Sequence, residues 1–253
     1  ATTTLIAPGD DDADANAAEL SGGFLNEYAL GKNGDIFDDD SGRLIKAGTK
    51  IRMGLHLHSN GEETPALVSI GLKLYPKGYV PKHVYITQHM GDNNDLDIPA
   101  NQKDVRFDGY TLLTKPAIVT AFQGHLHNRG QKECLEAIVP PTNPDGTIQT
   151  GGSALGGNGS AAPLMKPVTL SCTRWDFNWH TVYNYASDVA PVLPAGTILH
   201  VTTWFDNTAG NKANPDPLAN VGHGNRSIEE MSFAWVSYYY VTDEEYRAKI
   251  AER

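Results

Sequence analysis

Apolar residues recur along most of this chain at the period of a strand, not of a helix. The clearest run is 116–130, P-A-I-V-T-A-F-Q-G-H-L-H-N-R-G, an apolar, β-prone stretch that ends in two histidines two residues apart. Side chains alternate along a strand. The pattern therefore predicts Ile118, Phe122 and Leu126 on one side, with Val119, Ala121, Gln123, His125 and His127 on the other. Strand candidates fall at about 50–58, 67–75, 104–113, 117–127, 133–139, 168–173, 198–205 and 231–241, divided by polar or Gly/Pro breaks. Only from Asp243 onward does the text turn helical. Many short strands at this spacing argue an all-β fold, an antiparallel β-sandwich of jelly-roll type, and against alternating βαβ units.

Two stretches stand outside that pattern. Residues 1–23 are rich in Ala, Asp, Thr and Gly and read as an extended arm. Residues 140–162 carry Gly, Ser, Asn and Pro and read as a long surface loop inserted between strands.

Composition narrows the partners. The chain has 253 residues and a formal net charge of −10, with acidic clusters at 10–12 and 38–40, so it lacks the basic surface that nucleic acid requires. No run reaches the roughly 18–20 apolar residues of a spanning helix, so no membrane span is expected. No signal peptide opens the sequence, and its start at Ala1 suggests a processed protein or a fragment. Cys134 and Cys172 both lie in strand-like runs, and either a disulfide or two buried thiols fits them.

The chemistry-bearing residues are histidines and one methionine. His125 and His127 point the same way at a strand end, which makes half a site for copper, zinc or iron; the plain alternative is a pair of surface histidines. A second pair, His56 and His58 in G-L-H-L-H-S-N-G, repeats the arrangement. Met231 opens the aromatic final strand. A strand methionine is commonly core filler, but a thioether joined to imidazoles suits copper, and zinc rarely takes methionine.

Six segments occur in order: F-Q-G-H-L-H-N-R-G-Q, W-D-F-N-W-H, L-P-A-G-T at 193–197, F-D-N-T-A-G-N at 205–211, N-P-D-P at 214–217 and E-E-M at 229–231. Together, over about residues 24–242, they resemble the bacterial relatives of the copper type II, ascorbate-dependent monooxygenases, the family of peptidylglycine hydroxylating and dopamine β-monooxygenases. The resemblance implies two antiparallel sandwich domains, each holding one copper, on either side of a solvent-filled cleft. It implies that His125, His127 and Met231 hold the oxygen-activating copper, and that His58, with His56 beside it, belongs to a second copper site. Residues 1–62 then correspond to the C-terminal portion of a first domain and 63–253 to the second. A partner chain or an upstream segment would complete the first.

Departures from the family pattern shape the expected function. The chain has no adjacent His-His pair, which the family uses for its other copper. Peptide-amidating members place an Arg and a Tyr where this chain has Gln123 and Trp235, so a C-terminal peptide glycine is not the expected substrate. The resemblance implies hydroxylation of a C–H bond of some other small molecule, using dioxygen and an external reductant, in a periplasmic or extracellular protein. The alternative is a non-catalytic copper-binding or structural subunit of a larger assembly. His83, His89, His180, His200 and His223 lack a paired neighbour; of these, His223 could line the cleft, and His89 could serve a rebuilt first site. Asp176, Asn178, Asp206, Asn207 and Asp216 read as turn-fixing residues.

Overall fold

A computed structural model describes residues 2–9, 23–32, 34–57, 60–91, 95–149 and 165–253. Most of the predicted arm and most of the predicted 140–162 loop lie outside them, as does His58. In chain order the strands are β1 (Thr2–Ile6), β2 (Phe24–Glu27), β3 (Ser41–Gly42), β4 (Lys50–Gly54), β5 (His83–Val84), β6 (Ile86–Met90), β7 (Asp97–Ile98) and β8 (Val105–Leu112). They continue as β9 (Ala117–His125), β10 (Gly130–Val139), β11 (Lys166–Arg174), β12 (Tyr183–Asn184), β13 (Val192–Leu193), β14 (Ile198–Phe205), β15 (Val221–Gly222) and β16 (Phe233–Tyr240), followed by helix α1 (Asp243–Ala251).

Two antiparallel sheets face each other. One runs β11-β10-β14-β8; the other runs β12-β9-β16-β6, with β13 also paired to β9. Between them lies the main core, in which Val119 and Phe122 of β9 meet Leu135 and Ala137 of β10, Leu199 and Val201 of β14, and Ala234 and Val236 of β16. Full burial of each large apolar side chain there stabilises the fold by roughly 1.5–3 kcal/mol. The all-β sandwich read from the pattern is the observed architecture. α1 closes one end: Thr242 and Glu245 form a capping box, and Tyr246 and Ile250 pack with Ile118, Ala190 and Val241. Cys134 and Cys172 are joined by a disulfide between directly paired residues of β10 and β11. Among the described residues no helix is long and apolar enough to cross a membrane.

The expected facing of β9 needs a correction. Val119 and Phe122 share one core although alternation puts them on opposite sides. The cause is a β-bulge: Ser237 pairs with Ala121 and Tyr238 with Val119, so Thr120 has no partner on β16. The Thr120 carbonyl instead accepts the Tyr185 N–H, and its hydroxyl donates to Tyr85. Beyond the bulge the odd-numbered residues face away from the core, so Gln123 and His125 lie on the outer face while Val119 stays inside.

The N-terminal residues build a smaller sheet, β2-β1-β4, and a two-residue parallel pairing of β3 with β5. Here two strand expectations are overturned. The 50–58 candidate ends at Gly54, and 67–75 forms no strand. An apolar pattern alone does not make a strand, because the backbone N–H and C=O groups need a neighbouring strand to bond, and none adjoins 67–75 among the described residues. Its Leu67 and Leu74 are 92% and 75% exposed.

Candidate metal centre

The end of β9 carries His125, and the turn beyond it carries His127. Two carboxylates shape this turn. The His125 N–H donates to Glu133 Oε2 at 3.0 Å, and the His127 and Arg129 N–H groups donate to the two oxygens of Glu230 at 2.8 and 2.6 Å. Glu133 presses against Gly124, where a Cβ would collide with its carboxylate, so the glycine before His125 is required by close approach. Burial pushes Glu133 well above the usual carboxylate range. Burial also lifts Glu230 to about 7, against the opposing effect of the N–H groups it accepts and of Arg129.

The two imidazoles are brought together, with ring centroids 5.6 Å apart and near-perpendicular planes. His127 donates Nδ1–H to the Glu229 carbonyl at 2.9 Å, which leaves Nε2 with its lone pair. Burial and the neighbouring His125 lower its pKa to about 4, so His127 is neutral, the form a metal needs. His125 has its Nδ1 buried, 3.3 Å from Glu27 Oε1, yet off the line of any hydrogen bond. Its other side is stacked on Phe233 at 4.5 Å between centroids.

Phe233 pairs directly with His125 across β16 and β9, and Trp235 pairs with Gln123. Met231 lies two residues before Phe233. It is half-buried and packs with Phe24, Phe233 and Trp235 on the face that carries His125. This brings the predicted methionine and the predicted histidines to one side of one sheet. Among the described residues no three His, Cys, Asp or Glu side chains converge closely enough to hold a metal. This donor set, two imidazoles and a neighbouring thioether, is chemically suited to copper.

The N-terminal sheet covers this face. Phe24 of β2 stacks on Trp235 at 3.8 Å, and Glu27 accepts the Gln123 amide at 2.5 Å. Burial raises the Glu27 pKa, but His125, Lys32 and His180 outweigh it and bring the carboxyl down to about 2. His180 is also here, with its ring 5.7 Å from His125 and 4.5 Å from Trp175; its Nε2–H donates to the Phe177 carbonyl, and its Nδ1 is buried without a partner. Burial and then His125 lower its pKa. A cavity of about 360 Å³, lined by Gly31, Lys32, Thr181 and Asn184 among others, opens beside it.

The other histidines have separate partners. His56 is exposed. His89 lies against Phe233, which stands between it and His125, so these two do not share a metal. His83 pairs with Glu245 and stacks on Tyr239, and His200 bridges Asp108 and Glu136 on the outside of the other sheet. His223 forms an isolated bridge with Glu230 and lines a cavity of about 410 Å³ with Arg129 and Arg226. Asp206, Asn207 and Asp216 fix loops through hydrogen bonds, as expected of turn residues; Asn207 also holds the buried Arg129.

Sequence reasoning missed Glu27, Glu133 and the extent of Glu230's role. Glu230 was visible in E-E-M, and His180 closed the W-D-F-N-W-H segment. Glu27 offered no local signal, because its partner is nearly a hundred residues away in the chain. Compared with known families and curated proteins, the sequence matches no family model and no curated protein.

Proposed function

We propose that this protein is a copper-dependent monooxygenase-like protein, akin to the copper type II, ascorbate-dependent family, that hydroxylates a C–H bond of a small molecule with dioxygen and an external reductant. The observation that carries this reading is the pair of imidazoles at the end of β9, 5.6 Å apart with neutral His127 offering Nε2, on the same sheet face as Met231. His125, His127 and Met231 would hold the metal. Copper bound there would supply the one-electron chemistry that activates dioxygen.

The protein's own part is to hold the two imidazoles apart, to keep His127 neutral and the thioether nearby, and to cover the face with Phe24 and Glu27. Gln123 and Trp235 are engaged by these β2 residues, and the Glu27 carboxylate beside Gln123 would repel a substrate carboxylate. That argues against a peptide C-terminus as substrate. The Cys134–Cys172 disulfide fits a periplasmic or extracellular protein.

A second reading, a copper-binding or structural subunit, is favoured by the exposed His56 and by the absence of an adjacent His-His pair. In that case the other metal site, including any part played by His58, would depend on a partner chain or an upstream segment. Two measurements separate the readings. Anaerobic Cu(I) loading should give at least one tightly held copper per chain, lost in His125→Ala. Ascorbate-dependent oxygen consumption that vanishes in Met231→Ile supports the enzyme, whereas tight copper without turnover supports the subunit. No retained copper would sink both.

A further inference from the structure

Glu27 belongs to β2, in the small N-terminal sheet, yet its side chain is buried at 5% exposure against β9 of the sandwich. One oxygen lies 3.3 Å from His125 Nδ1, and the other accepts the Gln123 amide at 2.5 Å. Gln123 and His125 are two residues apart on one strand and so point the same way. The strand that presents the imidazole also presents the group that locks the carboxylate beneath it. His127 solves the same problem differently, with a backbone carbonyl on its Nδ1.

We propose that Glu27 is a positioning residue for the metal centre. Its carboxylate, 3.3 Å from His125 Nδ1, favours the ring proton on that nitrogen electrostatically and so leaves the Nε2 lone pair as the ligand. The inference deepens the copper reading and rests on it. A carboxylate behind a metal-bound imidazole fixes its tautomer and raises its basicity, and losing such a partner typically costs 10–100-fold in metal affinity. It also makes the N-terminal sheet part of the centre, since the carboxylate beside His125 comes from β2.

The test uses the full chain and two variants. Glu27→Gln keeps an acceptor for the Nδ1 proton but removes the charge; Glu27→Leu removes both. Nitrogen-15 correlation spectra of the metal-free protein at pH 8, where ordinary imidazoles are neutral, should show His125 as the Nδ1–H tautomer. The signal should persist in Glu27→Gln and shift toward the Nε2–H tautomer in Glu27→Leu. Cu(I) affinity, measured by competition with a chromophoric chelator, should fall about 10-fold in Glu27→Gln and up to about 100-fold in Glu27→Leu. The Cu(II) hyperfine coupling should change in both. If Glu27→Leu does not fold, Glu27→Gln decides the matter through affinity and coupling.

An Nε2–H tautomer in the unaltered protein, or copper affinity and coupling unchanged in the Glu27 variants while His125→Ala loses copper, overturns the proposal and leaves the copper reading standing. Equal copper retention by His125→Ala overturns the copper reading and the metal role of Glu27 with it.

Discussion

Residues 117–125 and 67–75 carry similar text, nine residues rich in apolar side chains, and they meet opposite fates. The first lies between β16 and β12–β13 and is buried along eight of its nine positions; the second lies open, with Leu67, Leu72 and Leu74 exposed. The contrast shows that strand formation here is decided by the neighbours and that the pattern only makes a segment eligible. A pleated apolar segment gains burial when sheets cover both faces and backbone bonds when strands flank both edges.

The sharpest way to break this comparison is truncation in each region. Phe122→Ala should destabilise the protein by about 3–5 kcal/mol, as a fully buried aromatic in a close-packed core does. Leu67→Ala should change stability by no more than about 0.5 kcal/mol. Denaturant midpoints measure both, and comparable losses would mean that 67–75 packs in solution against something. Next in size is the disulfide, which closes a 38-residue separation inside the sandwich. Replacing both Cys134 and Cys172 with serine should cost about 2–4 kcal/mol on the loop-entropy argument, read from the same curves.

Limited proteolysis compares the regions without mutation. Trypsin should cut at Lys73 before any Lys or Arg of β8 or β10, because local opening is cheapest where few buried contacts and no ladder bonds hold the chain. Initial cleavage within the sandwich would reverse the ranking.

The smallest effect concerns the seam between the two regions. Lys82, just beyond the open segment, pairs with Glu245 of α1, and together with Thr242 it holds the Glu245 carboxyl at about 2, below its ordinary 4.5. A carboxylate lowered on folding contributes stability above its unfolded pKa and loses it as pH falls from about 4.5 toward 2. Glu245→Gln should therefore lower stability at pH 7 and flatten the acid limb of the stability profile between those values. An acid limb identical to that of the unaltered protein would show that the pair contributes nothing.

How legible this was in the sequence depends on the range of the interactions. The long strands β8, β9, β10, β11, β14 and β16, and helix α1, could be read because each has a local period and local breaks. The strands β1 and β2 could not. They are four or five residues long, and β2 takes its importance from Phe24 reaching Trp235 and Glu27 reaching Gln123. The candidate site divides the same way. His125, His127 and Met231 stood out by residue type and by an ordered set of short segments. Glu27 was invisible because an isolated glutamate in N-E-Y announces nothing until the fold brings β2 across β9. The facing of β9 was misread for a smaller reason: a single unpaired residue leaves no mark in the hydrophobic pattern when both sides of the strand are buried.

That residue, Thr120, acts as a phase shifter. Before it, β9 turns its odd positions into the core; after it, the odd positions face out toward β2. One continuous strand can thus serve as interior wall at its start and present His125 on the outer face at its end, without a break in the sheet. Pairing Thr120 regularly with β16 would put Val119 and His125 on the same side, so the core contacts of one and the outward aim of the other could not be met together, whereas deleting Thr120 would remove the extra residue and keep both. A relative of this strand one residue shorter would keep both its inner wall and its outward histidine without a bulge.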